Sequence, residues 1–140
     1  LSKRDATRRA IELLEMVGLQ GMRNRPLAEY SKGMQRRIGI AQALINNPDL
    51  LIFDEPTTGL DPIIANSILK LFKSCHERFG FTGIIVSHDI PEVFEIVDRV
   101  AMLHEGVLIK VAAPGEFLDS EDALIRQFIT GSTEGPIQAN

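Results

Sequence analysis

Apolar side chains in the first half of the chain recur at the period of an α-helix. They form one stripe in a segment that begins at Ser2, with Gly18 as its natural end. The stripe consists of Ala6, Ala10, Leu13, Leu14 and Val17. The same reasoning predicts a second helix over residues 31–48 and a third over residues 61–80, each with a capping residue at its start.

Two short apolar runs have the pattern of strands that are covered on both faces. The first spans residues 50–53 and ends in Asp54 and Glu55, and the second spans residues 82–86 and leads to His88. The predicted third helix lies between these two runs. A strand, a helix and a second strand in this order predict an α/β fold built on a parallel sheet.

The remainder of the chain predicts smaller elements. A short helix is expected soon after His88, and two apolar runs over residues 99–103 and 107–112 indicate a hairpin. A last helix is predicted over residues 121–130. Residues 132–140 have the composition of a tail.

Composition narrows the class of protein. The chain has 140 residues, of which 44% are hydrophobic and 24% charged, as in an ordinary globular domain. Its 15 Lys and Arg against 19 Asp and Glu give a net charge of −4, so there is no global positive field to hold a nucleic acid or an anionic membrane. Cys75 is the only cysteine, which excludes an internal disulfide, and its place on an apolar helical stripe predicts a core residue.

Two adjacent carboxylates follow the first strand, at the edge where open α/β sheets bind ligands. Neighbouring side chains of an extended backbone point in different directions. Asp54 could therefore hold Mg²⁺ while Glu55 faces an attacking water as general base, as in a Walker B motif. An exposed turn after a strand explains the same two residues, and the pattern alone leaves both interpretations open.

The start of the second helix is a candidate phosphate site. Ser31 supplies a hydroxyl, Gly33 permits close approach of the backbone, and the first amides of a helix attract anions. Serine is also a common helix cap without any ligand. His88, a lone histidine after a strand, is likewise open to a structural or a catalytic interpretation.

Taken in order, these motifs resemble the ATP-binding subunits of ABC transporters. The segments that carry the resemblance are Ser31-Lys32-Gly33-Met34, Ile40-Ala41-Gln42-Ala43-Leu44, Leu51-Ile52-Phe53-Asp54-Glu55-Pro56-Thr57-Thr58-Gly59-Leu60-Asp61 and Ile85-Val86-Ser87-His88-Asp89. The resemblance covers nearly the whole chain. It implies part of a RecA-like P-loop NTPase fold, with a parallel sheet and a segment of the helical subdomain.

The resemblance also implies roles for single residues. Ser31, Gly33 and Met34 would form the signature motif that touches ATP held by the opposite subunit. The family's signature is commonly Leu-Ser-Gly-Gly-Gln, and here Lys32 replaces the first glycine while Met34 replaces the glutamine. Both substitutions look like variants of exporter and lipid-transport branches and bear on nucleotide affinity.

The other implied roles lie after the strands. Asp54 would be the Walker B ligand of Mg²⁺ and Glu55 the catalytic glutamate. Asp61 would close the D-loop, residues 58–61, and His88 would be the switch histidine that contacts the γ-phosphate. ATP and Mg²⁺ are the implied substrate and cofactor.

One family motif is not found. None of the eleven glycines is followed by lysine, so these residues contain no G-x-x-x-x-G-K-[ST] phosphate loop. The chain is therefore expected to be the C-terminal portion of a longer ATPase, with the phosphate-loop strand missing, and inactive by itself. The expected division is a helical signature segment over 1–48, part of the ATPase core over 49–118, and a C-terminal helix with tail over 119–140.

Within the superfamily, three segments of the chain look like those of the Mla lipid transporters of bacteria, which are related to the Mce systems. These segments are residues 87–93, 126–131 and 134–136. This implies phospholipid transport at the inner membrane by a cytoplasmic subunit that is held there by a permease. The implied partners are a second ATPase subunit, the permease and a lipid-binding protein, without nucleic acid.

Three alternatives are kept. The same ATPase could serve a drug or polysaccharide exporter. The head domain of a DNA-repair or chromosome-organising ATPase would predict long heptads and a basic surface, and neither is visible. A non-hydrolytic interaction module is disfavoured by the intact Glu55 and His88.

The family's topology suggests one further expectation. The phosphate-loop strand lies beside the strand that carries the switch histidine, so residues 82–86 would keep an unpaired edge. We expect the isolated chain to self-associate there, unless residues 99–103 close the sheet within one chain.

Overall fold

The computed structural model describes residues 2–138, in two units that meet in sequence between His88 and Asp89. The first unit contains α1 (Lys3–Met16), α2 (Lys32–Leu44), β1 (Leu50–Asp54), α3 (Pro62–Phe79) and β2 (Thr82–Val86). The second contains β3 (Val100–His104), β4 (Val107–Ala112), α4 (Pro114–Leu118) and α5 (Ala123–Thr130). Short 3₁₀ turns occupy Gln20–Met22, Leu27–Glu29 and Glu92–Glu95.

The three helices of the first unit begin at the predicted caps. Side-chain oxygens of Ser2, Ser31 and Asp61 accept hydrogen bonds from backbone amides two or three residues further along. These bonds satisfy amides that have no partner within the helix. Gly18 and Gly80 end the first and third helices at φ 72° and 68°, a left-handed conformation that glycine adopts without strain.

The helices pack around a shared apolar core. Its most deeply buried members are Leu13, Val17, Leu44, Ile68 and Cys75. Burial raises the pKa of the Cys75 thiol to about 11, with the charge of Arg78 acting in the opposite direction. A thiol of this kind is neutral near pH 7, in agreement with the predicted core role.

A cluster of charged side chains lies where α1 meets the C-terminal ends of α2 and α3. Glu12 of α1 accepts from Arg78 of α3 at 2.7 Å and from Arg9 at 3.1 Å, and these two hydrogen bonds lower the pKa of its carboxyl group. The Arg9 guanidinium also lies 4.4 Å from the centre of the Phe79 ring and donates to the carbonyl of Leu44 at 3.2 Å. The cluster therefore ties α1 to the ends of α2 and α3.

The predicted parallel pair is confirmed. β1 and β2 pair from Leu50 opposite Thr82 to Asp54 opposite Val86, and α3 connects them. Phe53 packs on Phe72 of α3 with 4.1 Å between ring centres. The βαβ unit thus places the ends of both strands at one edge.

Burial of this sheet differs from the prediction. Both strands were expected to be covered on two faces, but only alternate residues contact the helix layer. Ile52 is 64% exposed, and its partner Ile84 on the same face is also exposed. The difference arises because successive strand residues point to opposite faces and α3 covers one of them.

The second unit is built on the predicted hairpin. β3 and β4 are antiparallel, with a register shift between Met102 and Leu103. Glu105 and Gly106 turn at φ 47° and 76°, which is the geometry of a two-residue hairpin turn. The sequence did not predict α4, whose cap position, Ala113, offers no side-chain oxygen.

The segment after α5 is held more closely than a tail would be. The buried Gln127 donates to the carbonyls of Ser132 and Ile137 at 3.2 and 2.8 Å and accepts from the Ile137 amide at 2.6 Å. Residues 132–137 therefore fold back on α5. The last two residues of the predicted tail lie outside the described residues.

Among residues 2–138, β2 has a strand partner only in β1, and β3 pairs with β4 instead of closing this sheet. None of the helices in the same range has the length and apolar character needed to cross a membrane.

We expect the 140-residue chain to associate through the open edge of β2, because unpaired strand groups beside exposed apolar side chains recruit further strands. Light scattering at high micromolar concentration should detect a dimer or larger species. Ile84→Lys, which puts a charge on the exposed face, should reduce the association. A stable monomer of the unmodified chain would contradict the prediction.

Candidate functional site

The candidate site lies at the carboxyl edge of the parallel pair. Asp54 ends β1, and the Glu55 amide donates to the carbonyl of Val86 at 2.9 Å, which extends the pairing by one residue. The Glu55 backbone then turns at φ 47°. Non-glycine residues seldom adopt this conformation, which often occurs at functional sites.

Both carboxylate oxygens of Glu55 have protein partners. Oε1 lies 2.9 Å from Nδ1 of His88, and Oε2 accepts from the Thr58 hydroxyl at 3.0 Å. Because an ionised carboxylate only accepts hydrogen bonds, Nδ1 of His88 would be the donor in this pair. The side chains of Glu55 and His88 are 36% and 66% exposed, so the pair is within reach of a ligand.

Asp54 fits a magnesium ion through its chemistry. Its side chain is exposed at the strand end, and carboxylate oxygens are the ligands that Mg²⁺ prefers. Within the described range 2–138, no three His, Cys, Asp or Glu side chains are grouped closely enough to enclose a metal. Mg²⁺ in nucleotide sites is commonly bound by one or two carboxylates with water and substrate phosphates, which agrees with a single protein ligand.

The predicted signature residues lie at the start of α2. The Ser31 hydroxyl caps the helix by accepting from the Met34 amide at 3.2 Å. Gly33 is in the first turn and faces Ile64 of α3, since a Cβ built on Gly33 would lie 2.8 Å from Ile64 Cγ2. In the structure, Gly33 therefore permits another helix, α3, to approach the backbone of α2 closely.

The segment of residues 58–61 lies beside both Glu55 and the start of α2. Thr58 binds Glu55 at one end, and the Asp61 carboxylate caps α3 at the other through two hydrogen bonds of 3.1 Å. Between them, a Cβ built on Gly59 would lie 3.8 Å from Nζ of Lys32. The structure thus joins Glu55, Thr58 and His88 in one cluster and sets the start of α2 beside the same segment.

Two of these contacts were missed by the sequence analysis. The spacing of three residues between Glu55 and Thr58 permits a local hydrogen bond and was a usable signal. Nothing in the sequence pairs Gly33 with Ile64, because that contact depends on how two helices pack.

Comparison with known proteins agrees with the motifs. The family model described as ABC transporter matches residues 2–58. The chain is 40% identical over 125 residues to the intermembrane phospholipid transport ATP-binding protein MlaF of Haemophilus influenzae, which covers 89% of this chain and 47% of that protein. It is 38% identical over 130 residues to the methionine import ATP-binding protein MetN of Lactococcus lactis, covering 92% of this chain and 35% of that protein.

Solved structures give the same picture. CbiO1 from Clostridium perfringens, described as part of the ABC transporter complex CbiONQ, aligns with a TM-score of 0.81 at 31% identity and covers 91% of this chain and 51% of that one. An ATP-binding cassette of an ABC transporter in its ADP conformation aligns with a TM-score of 0.81 at 23% identity, which supports the fold alone, and covers 94% of this chain and 52% of that one. The chain thus spans about half the length of these relatives or less.

Proposed function

The chain belongs to the ATP-binding domains of ABC transporters, and from this we propose that it is the signature and Walker B portion of a transport ATPase subunit. The observation that carries the proposal is the contact between Glu55 and His88 at the carboxyl edge of the parallel strands. It joins an acid and a histidine that are 33 residues apart, at the edge where such sheets bind ligands.

Glu55 is proposed as the general base. Its carboxylate is fixed through both oxygens by His88 and Thr58, so it can be aimed at a water beside the terminal phosphate of ATP. His88 is proposed to donate to that phosphate through Nε2, which requires the imidazolium form because Nδ1 donates to Glu55. Asp54 is proposed to hold Mg²⁺, which when bound offsets the negative charge of the phosphates.

Ser31, Gly33 and Met34 are proposed to contact ATP held by a second ATPase subunit, with Asp61 close to that interface. The support is the location of Ser31, Gly33 and Met34 at the start of α2, where backbone amides favour an anion. This proposal requires a dimer of ATPase subunits on the cytoplasmic side of a membrane, with a permease as the membrane partner. The segments 1–48, 49–118 and 119–140 would then be helical subdomain, ATPase core and C-terminal extension.

Phospholipid is the proposed cargo. The support is the likeness to the phospholipid transport protein. Methionine is a second candidate, because the import protein matches almost as well. The two can be separated by reconstituting the full-length subunit with its permease and measuring which of the two cargoes stimulates ATP hydrolysis.

The 140-residue chain alone should neither bind MgATP tightly nor hydrolyse it. Its residues contain no phosphate loop, and the signature is proposed to act only on ATP held by another subunit. Titration calorimetry tests this directly, and a micromolar affinity would contradict it.

In the full-length subunit, Glu55→Gln should lower turnover by roughly 10²–10⁴-fold, because it removes the base. ATP binding should persist, since Asp54 remains for Mg²⁺. Thr58→Ala is a matched control, because it removes one hydrogen bond to the same carboxylate and keeps the carboxylate itself. It should lower turnover far less than Glu55→Gln. Unchanged turnover in Glu55→Gln would refute the assignment of Glu55.

His88→Ala should also reduce turnover strongly while the melting temperature changes little, because the side chain is largely exposed. Calorimetric melting and steady-state ATPase rates measured on the same preparation distinguish the roles. A large drop in melting temperature with normal specific activity would instead make His88 a structural residue.

A further inference from the structure

Gly33 occupies a position where alanine would ordinarily be preferred. It lies in the first turn of α2, and glycine is a poorer helix former than alanine. A Cβ at this position would lie 2.8 Å from Cγ2 of Ile64, well inside the distance of about 3.5–4.0 Å at which carbon atoms pack. Gly39, in the same helix, has no atom within 4 Å of such a Cβ.

The atom that faces Gly33 cannot move aside easily. Ile64 is in the first turn of α3, and a β-branched side chain in a helix has one strongly preferred rotamer. Its Cγ2 is attached directly to Cβ, so it follows the backbone of α3. An added methyl group at position 33 would therefore have to push the two helices apart.

A second contact between the same helix faces lies one turn further along. Arg37 of α2 donates to the Ser67 hydroxyl of α3 at 3.1 Å, and that hydroxyl donates to the Ile64 carbonyl at 2.7 Å. Arg37 also donates to the carbonyl of Val17 at 3.1 Å. The helices are thus held by a polar contact at one level and by the Gly33–Ile64 contact at their starts.

We propose that Ile64 is a positioning residue for the signature motif. By packing on Gly33 it sets the start of α2 against the start of α3, so the signature residues and the segment 58–61 move together. The inference rests on the proposed function, in which Gly33 lies near ATP of the opposite subunit. Small displacements of groups around a reacting phosphate cost large factors in rate, which makes the contact relevant to turnover.

The test is a set of variants in the full-length ATPase with kcat and KM for ATP as readouts. Gly33→Ala should lower kcat by about tenfold or more and change KM by less than about threefold, because α2 is proposed to act when the subunits close. Adding Ile64→Ala should bring kcat to within about threefold of the Ile64→Ala single variant, because the clashing methyl is gone. A double variant as slow as Gly33→Ala would overturn the inference.

Two controls match the chemistry of each change. Ile64→Val keeps a methyl at the Cγ2 position, so it should not rescue Gly33→Ala. Gly39→Ala is the same substitution in the same helix without a neighbour, and it should leave kcat unchanged. Rescue by Ile64→Val as complete as by Ile64→Ala would also count against the contact.

Hydrogen exchange supplies a readout that does not require Gly33→Ala to fold. Ile64→Ala should increase exchange of the Met34 and Gln35 amides, which donate to Ser31, about fivefold or more over Ile63→Ala, whose side chain is 80% exposed beside it. Equal exchange in the two variants would overturn the inference.

If Glu55→Gln retains turnover, the proposed function fails, whereas an inactive Glu55→Gln without rescue at Ile64 refutes only the positioning role.

Discussion

The register of β1 on β2 is the constraint on which the candidate site depends. Asp54 lies opposite Val86, and the Glu55 amide binds the Val86 carbonyl, so the first residues after each strand meet at one edge. A slip of one residue would turn every side chain to the other face of the sheet. It would separate Phe53 from Phe72 in the core and Glu55 from His88 at the surface, so core packing and site geometry are fixed by the same pairing.

Several residues at the site serve the fold and the proposed chemistry together. Ser31 and Asp61 cap α2 and α3, and loss of such a cap typically costs about 1 kcal/mol. Their replacement would therefore weaken a helix as well as any contact with a nucleotide. Glu55 and His88 differ from these capping residues. Glu55 is partly exposed, His88 is largely exposed, and both lie beyond the strands. This makes them the clearest positions for separating activity from stability.

Segment 58–61 connects these features. It begins with a hydrogen bond to the proposed base and ends with the cap of α3, and Lys32 at the start of α2 lies beside its centre. A movement of α3 relative to α2 would thus change the surroundings of both Glu55 and the proposed signature residues. The contact of Gly33 with Ile64 limits such a movement, because the two helices already lie close together there and the β-branched side chain has one strongly preferred rotamer.

The sequence by itself determined the elements that depend on local chemistry. The caps at Ser2, Ser31 and Asp61, the two parallel strands and the hairpin follow from side chains within a few residues of each boundary. The order of the motifs also identified the family. Where local signals were weak, as at the cap of α4, the prediction failed.

Only the tertiary structure decided which distant residues meet. The pairing of Glu55 with His88, the packing of Gly33 on Ile64 and the hold of Gln127 on residues 132–137 depend on strand register, helix packing and chain reversal. The exposure of Ile52 is decided in the same way, since its burial depends on what lies over that face of the sheet. Local propensity and hydrophobic period do not encode these distances, because many packings satisfy the same pattern of apolar and polar residues.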